Sequence, residues 1–270
     1  MSDAIVYNNN IIRKRGGSYL DKLKIVNRDL LKWIALFFMG IGHFLLYTAD
    51  EFHFFGLSGP ILKFFIQMEY IAPPIFFFFI SEGYRYTHAK KRYFIRLLAM
   101  TLVTQIPYVL FHTYDQKHTI SFDILMFLTN WNVIATLLLG FVAIAVWESI
   151  KHPALKTACL ILCCTAGYFT EWSFWGVLFI LSFYLFREHP WIRFAAYELL
   201  MMIYVLYISG FSIFGFHWLL FMVFSLPITF ITLFYNGEKG HFPKLSKYFF
   251  YFFYPAHLLL IYIVKLMYQA

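Results

Sequence analysis

Charged residues are scarce in this chain. Of its 270 residues only 13% are charged, while 61% are hydrophobic and 23% are aromatic. In soluble domains roughly a quarter of the residues are charged and about half are apolar. The composition therefore excludes an ordinary soluble domain and predicts a single domain whose main solvent is lipid.

Cysteines and common catalytic motifs are also lacking. The three cysteines, Cys159, Cys163 and Cys164, fall in one apolar segment without the paired spacing of a zinc site or of a secreted disulfide framework. We interpret them as packing residues and predict no bound metal. No zinc-protease, Walker-type or G-x-S-x-G motif is present, which argues against these three classes.

Long apolar runs dominate what is present. Because a helix needs about 20 apolar residues to cross about 30 Å of hydrocarbon, the runs predict an all-α, polytopic bundle of about nine spanning helices. The predicted spans are 30–49, 62–83, 91–111, 130–149, 154–170, 173–187, 191–209, 215–234 and 247–268. They form one transmembrane domain over 30–270.

The segment before the first span is polar and basic. Residues 1–17 predict a flexible basic tail, and we expect no cleavable signal peptide there. Apolar residues at three- to four-residue spacing predict an interfacial amphipathic helix over 18–29.

The distribution of basic residues predicts the topology. The net charge is +8, but no nucleic-acid module accompanies it, so we predict no nucleic-acid partner. Of the 22 lysines and arginines, 19 lie before or at the start of the first span, or in alternate loops and the span ends next to them, and the others are Lys63, Lys117 and Lys265. The positive-inside rule then predicts a bacterial cytoplasmic membrane protein with a cytoplasmic amino terminus and an external carboxyl terminus.

Two ionisable residues in the first span indicate an internal site. Lys32 lies at the cytoplasmic end and His43 follows eleven residues later, which places both on one helix face about 16 Å apart. Ionisable residues inside a span point by default to a cavity. A charge anchor and a packing histidine are the alternative interpretation.

A cationic patch at the predicted inner interface is a candidate phosphate site. Its members are Glu82, Arg85, Lys90, Lys91, Arg92 and Arg96. Arginine binds phosphate oxygens through planar, bidentate hydrogen bonds, and we expect Glu82 to orient Arg85 at three-residue helical spacing. A basic loop that contacts anionic lipid is the competing interpretation.

Polar residues in the second half of the chain extend the candidate site. Tyr254 and His257 share one face of the last span, beside Pro255, although a structural kink accounts for the same residues. Three residues would shape an external, acceptor-side mouth: Asn130, Asn132 and Glu171.

Seven short segments in a fixed order carry a family resemblance. They are 31–43, 74–87, 92–97, 132–140, 176–178, 235–237 and 253–257. Together they resemble the TraX family of membrane acetyltransferases, and the spacing of Lys32 and His43 is similar to the basic-x10-His pattern of acyltransferase-3 proteins. The family often has Asp where this chain has Gly42, so a carboxylate partner for His43 must come from elsewhere or be dispensable.

The resemblance implies an enzyme. Acetyl-CoA would be the donor, and its phosphates would bind from the cytoplasm. The residues implied at the donor site are Lys32, Glu82, Arg85, Arg92 and Arg96. His43 would act as general base or transient acyl carrier, supported by His257 and Tyr254, and the extracytoplasmic acceptor would be the terminal amine of a pilin-like or exported peptide, or a glycan hydroxyl.

Two other classes fit the same residues. A small transporter or channel would use the buried polar groups as a permeation path, and a noncatalytic envelope-assembly subunit would bind a partner tightly. Binding of acyl-CoA separates the enzyme from both.

Overall fold

A computed structural model describes residues 22–52, 59–117, 122–212, 217–240 and 242–269 of the chain. These residues form eleven α-helices and one short 3-10 helix, and they contain no β-strand, which confirms the all-α prediction. The α-helices are α1 (Arg28–Phe52), α2 (Gly59–Gln67), α3 (Ala72–Tyr86), α4 (Lys90–Lys117), α5 (Ile124–Thr129), α6 (Val133–Ser149), α7 (Pro153–Gly167), α8 (Ser173–Leu185), α9 (Pro190–Ile208), α10 (Trp218–Phe234) and α11 (Pro243–Gln269).

Nine apolar helical segments of the described chain lie at the nine predicted spans. Five are long enough to cross a membrane: Arg28–Leu46, Gly59–Tyr86, Lys90–Thr113, Pro190–Ile208 and Tyr248–Met267. The four shorter apolar helices are α6, α7, α8 and α10. The protein is therefore a multi-pass helical membrane protein.

The second predicted span is interrupted. Between α2 and α3, Met68–Ile71 form a 3-10 helix in which the N–H of Ala72 donates to the carbonyl of Glu69. Pro73 and Pro74 open α3 and have no N–H to continue an α-helical ladder from this turn. The chain tightens into a 3-10 turn instead, and this turn presents Glu69 to the bundle interior.

Small residues allow the helices of the bundle to pack closely. A Cβ atom on Gly140 would lie 2.3 Å from Cδ1 of Ile180, and one on Gly176 would lie 2.3 Å from Cγ2 of Thr136. Close helix contacts through glycine are typical of membrane bundles. Around these contacts the core is aromatic, with Phe77, Phe179, Phe183, Tyr197 and Phe224 fully buried.

The start of α1 is joined to the loop after α10. Val26 is buried and forms a backbone bridge with Tyr235. Asn27 then caps α1, because its side chain accepts a hydrogen bond from the N–H of Leu30 at 2.9 Å. The predicted interfacial helix over 18–29 begins outside the described residues, and residues 24–27 of it are not helical. The predicted tail over 1–17 also lies outside the described residues.

Candidate functional site

A basic cavity of about 470 Å³ lies between α1, α3, α4, α6 and α11. Its charged lining residues in the described chain are Arg28, Lys32, Arg96, Lys239 and Glu82. Four cations and one carboxylate give this basic cavity a positive potential, which attracts anionic ligands.

Glu82 pairs with Arg28 and Tyr235. Nη2 of Arg28 is 2.9 Å from Oε2 of Glu82, and the Tyr235 hydroxyl donates to both carboxylate oxygens at 2.8 and 2.9 Å. Burial, and then the Glu82 carboxylate, raise the pKa of Tyr235, so its hydroxyl stays protonated and continues to donate.

The predicted pair of Glu82 with Arg85 is wrong. Arg85 is exposed and its Nη2 lies 2.9 Å from Oε1 of Glu188. The half-buried Glu82 carboxylate instead pairs with Arg28 of α1, which is 54 residues away in sequence, because a buried charge needs a partner of opposite charge.

The basic cavity contains three of the five predicted donor-site residues, namely Lys32, Glu82 and Arg96. Arg85 and Arg92 are exposed and do not line it. Arg28 and Lys239 line the cavity without having been predicted, since only the tertiary fold brings the start of α1 beside the loop before α11. The Nε–H of Arg96 is buried and makes no hydrogen bond within the described residues.

His43 and His257 form a hydrogen-bonded pair. Nδ1 of His43 is 2.9 Å from Nε2 of His257, and the ring planes differ by 5°. Nδ1 of His257 lies 3.0 Å from the carbonyl of Phe253, which can only accept. His257 therefore carries its proton on Nδ1, Nδ1–H of His43 donates to His257, and a neutral His43 has its free electron pair on Nε2.

A second, smaller cavity of about 50 Å³ borders His43; we call it the histidine pocket. Glu69, Glu171 and Tyr254 line it together with aromatic rings, and its described lining contains no lysine or arginine. The ring of Phe76 lines both this pocket and the basic cavity, so the two spaces meet at one side chain.

Two carboxyl groups occupy different positions in the histidine pocket. Oε2 of Glu69 lies 3.6 Å from Nε2 of His43. Oε2 of Glu171 accepts hydrogen bonds from the Tyr254 hydroxyl and from the N–H of Val133, both at 3.1 Å. Glu171 lies in the turn between α7 and α8, and burial raises its pKa to about 7, against the effect of these two bonds.

The other two predicted acceptor-side residues do not line either cavity. Asn132 is fully buried and caps α6, and its Nδ2 donates to the carbonyl of Thr101 and to Oε1 of Gln105. Asn130 is exposed, and its carbonyl accepts from Gln105. Asn132 therefore stabilises the start of α6, and Asn130 lies at the end of α5.

Glu69 is a further site residue that the sequence analysis missed, besides Arg28 and Lys239. It is buried in the second predicted span, so the rule that selected His43 also selects Glu69. A Cβ atom on Gly42 would lie 2.3 Å from Cβ of Glu69. Gly42 therefore permits the close approach that brings a carboxylate to His43 from another element of the fold.

The fold and these cavities define a multi-pass membrane protein with a largely buried histidine pair beside the histidine pocket, which shares Phe76 with the basic cavity. Within the described residues, no group of three or more histidine, cysteine or acidic side chains is placed to hold a metal ion. The chain belongs to the TraX family, because residues 27–265 match the family described as TraX protein.

A curated relative supports this membership. The chain is 28% identical over 244 residues to a Dichelobacter nodosus protein named probable fimbrial assembly protein FimC, serogroup H1, and the alignment covers 88% of this chain and 96% of that protein. No solved structure matches the chain.

Proposed function

We propose that the protein is a membrane-embedded acetyltransferase of the bacterial cytoplasmic membrane. It transfers an acetyl group from cytoplasmic acetyl-CoA to an extracytoplasmic acceptor, with its amino terminus in the cytoplasm and its carboxyl terminus outside. The observation that carries the proposal is the His43–His257 pair beside the small histidine pocket, which a single ring separates from the basic cavity. The family and the relative named for fimbrial assembly support a role in pilus or envelope assembly.

The basic cavity is the proposed donor site. Coenzyme A carries several negatively charged phosphate groups. The lining of the basic cavity supplies four cations, which are Arg28, Lys32, Arg96 and Lys239. Arginine suits phosphate because its planar N–H groups bind two oxygens at once. The unpaired Nε–H of Arg96 is a donor that a phosphate oxygen would satisfy.

His43 is the proposed general base. Its Nε2 takes a proton from the acceptor as the acceptor attacks the thioester carbonyl carbon, the C–S bond breaks, and the leaving thiolate receives that proton from His43. His257 holds Nδ1–H of His43 through the 2.9 Å bond and so keeps the electron pair on Nε2. A transient acetyl group on Nε2 is the alternative course, and trapping of acetylated His43 in a single turnover separates the two.

The proposed acceptor is a primary amine at the end of an exported or pilin-like peptide. Glu69 and Glu171 face the histidine pocket with His43, and carboxylates form charge-assisted hydrogen bonds with ammonium groups. A glycan hydroxyl, the other acceptor considered, carries no charge for these two groups to bind.

Acetyl transfer by purified protein in nanodiscs tests this function. The acceptors are a short peptide with a free amino terminus, the same peptide with a blocked terminus, and a neutral oligosaccharide. We expect acetylation of the free terminus, its loss in His43→Ala, and a raised KM for acetyl-CoA in Arg96→Ala. Asn130→Ala is the control, because Asn130 is exposed and lines neither cavity.

Three results would contradict the proposal. Well-folded wild-type protein that binds no acetyl-CoA, measured as protection against thermal unfolding, contradicts an enzyme that uses this donor. Solute flux through proteoliposomes without acetyl-CoA would favour the transporter or channel, and a tight protein partner with neither activity would favour an assembly subunit.

A further inference from the structure

One carboxylate oxygen of Glu69, Oε2, faces the reacting nitrogen of His43 and accepts no hydrogen bond from the described part of the chain. This oxygen is buried and lies 3.6 Å from Nε2 of His43. In contrast, Oε2 of Glu171, across the same pocket, already accepts two hydrogen bonds. Oε2 of Glu69 can therefore accept a proton from a ligand that lies beside the proposed base, His43.

An amine acceptor loses more protons during the reaction than one base can accept. A peptide α-amine has a pKa of about 7.7 to 8.0 and a lysine amine of about 10.4, so each arrives at neutral pH largely as an ammonium ion. Two protons must leave its nitrogen before a stable amide forms. The first frees the electron pair, and the second leaves during attack on the thioester.

We propose that Glu69 accepts the first of these protons and His43 the second. This role rests on the proposed acetyltransferase function with an amine acceptor. Both side chains line the histidine pocket, so one nitrogen in the pocket would lie beside both. Glu69 touches the acceptor in this scheme and is therefore a second catalytic residue.

The step balances in atoms and protons. The ammonium gives a proton to the Glu69 carboxylate, and the resulting amine forms a C–N bond with the thioester carbonyl carbon. Its second proton passes to Nε2 of His43, the C–S bond breaks, and coenzyme A leaves as a thiolate that takes this proton. Glu69 then releases its proton to water, so each acetyl transfer yields one amide, one thiol and one proton.

The sequence around Glu69 fixes its place. Pro73 and Pro74 produce the 3-10 turn that holds Glu69, and Gly42 leaves room for it on α1, because its missing Cβ would lie 3.0 Å from Cα of Glu69. A longer side chain at position 42 would push this turn, and with it the carboxylate, away from His43.

The pH dependence of Glu69→Gln tests the proposal with a readout that a structural role would not change. In this variant only acceptor that is already uncharged in solution reacts. Between the pKa of the Glu69 carboxyl and the pKa of the acceptor amine, the ratio of wild-type to variant kcat/KM should rise about tenfold for each unit that the pH falls. The titration of His43 is measured separately in each protein, because Glu69→Gln removes a charged group 3.6 Å from Nε2 of His43, and each profile is corrected for it before the two are divided.

Glu198→Gln is the matched control. Glu198 is a half-buried glutamate of α9, but it accepts a hydrogen bond from Ser225 and lines neither cavity. Its ratio to wild type should not change with pH. A pH-independent ratio for Glu69→Gln as well would overturn the proton-acceptor role, whatever the size of the loss.

A measurement on wild-type protein covers the case in which Glu69→Gln does not fold. For a lysine-type acceptor amine, whose pKa is about 10.4, kcat/KM should stay nearly constant between about pH 8.5 and 9.5 if Glu69 removes the first proton. A rise of about tenfold for each pH unit over this range would overturn the role, because only free amine would then react. Absence of transfer to every amine would instead contradict the proposed function itself.

Discussion

Nδ1 of His43 and Nε2 of His257 lie 2.9 Å apart, on rings that are within 5° of parallel. The two residues are 214 positions apart in sequence, and the bond joins α1 to α11 in the interior of the bundle. Because Phe253 accepts from His257 in turn, the direction of both hydrogen bonds is fixed when the imidazoles are neutral.

His257→Ala should lower kcat by about 10²- to 10⁴-fold, the range usual for the loss of a group that supports acid–base catalysis. KM for acetyl-CoA should change little, since His257 does not line the basic cavity. His257→Gln should recover part of the rate, because an amide oxygen can still accept from Nδ1–H of His43. Steady-state kinetics measure both effects, and unchanged turnover in His257→Ala would remove His257 from the site.

Gly42→Ala should destabilise the protein by about 1 to 3 kcal/mol and reduce transfer activity. The new Cβ would lie 2.3 Å from Cβ of Glu69, so α1 or the 3-10 turn must move, as in other overpacked cores. Gly59→Ala is the control, because a Cβ there has no neighbour within 4 Å. Equal thermal stability and activity for the two variants would show that the approach of Glu69 to Gly42 is unimportant.

Arg28→Ala should raise KM for acetyl-CoA more than Arg85→Ala does. Arg28 lines the basic cavity and pairs with the half-buried Glu82, so its removal also leaves that carboxylate without a cation. Arg85 forms an exposed pair with Glu188, and exposed pairs contribute about 0 to 1 kcal/mol. Donor titrations in nanodiscs measure the difference, and a larger effect of Arg85→Ala would place the phosphates outside the cavity.

The spans could be predicted from sequence because a run of apolar residues is a local signal. The same is true of the shared face of Lys32 and His43, which follows from helix geometry alone. The interruption of the second span was missed, although Pro73 and Pro74 mark it, because an average over 62–83 hides a single turn.

The pairs that form the site could not be predicted in the same way. Glu82 has Arg85 three residues away and Arg28 54 residues away, and only the packing of α1 against α3 selects Arg28. Asn132 looked like an external polar group, but a cap at the start of a helix gives the same residue at the same place. Local spacing does not distinguish these cases, since burial and pairing depend on distant parts of the chain.

Glu171→Gln should stabilise the protein increasingly as the pH rises from about 4.5 to about 7. The pKa of Glu171 is raised from 4.5 to about 7 by burial, so the folded state holds this proton more tightly than the unfolded state does. Wild-type protein therefore loses stability across this window, and the loss is smaller than the shift alone would give, because part of the Glu171 residue is exposed to solvent. Glutamine avoids the loss, and its amide oxygen can still accept from Tyr254 and Val133.

The measurement is the difference in thermal unfolding temperature between Glu171→Gln and wild type in nanodiscs, taken at several pH values. The difference should become more positive from pH 4.5 to 7 and stay level above this range, because wild-type Glu171 is then ionised in both states. Glu238→Gln, an exposed change in the loop after α10, should give a much smaller trend. A difference for Glu171→Gln that does not depend on pH would mean that water or lipid headgroups reach this carboxyl and hydrate its charged form.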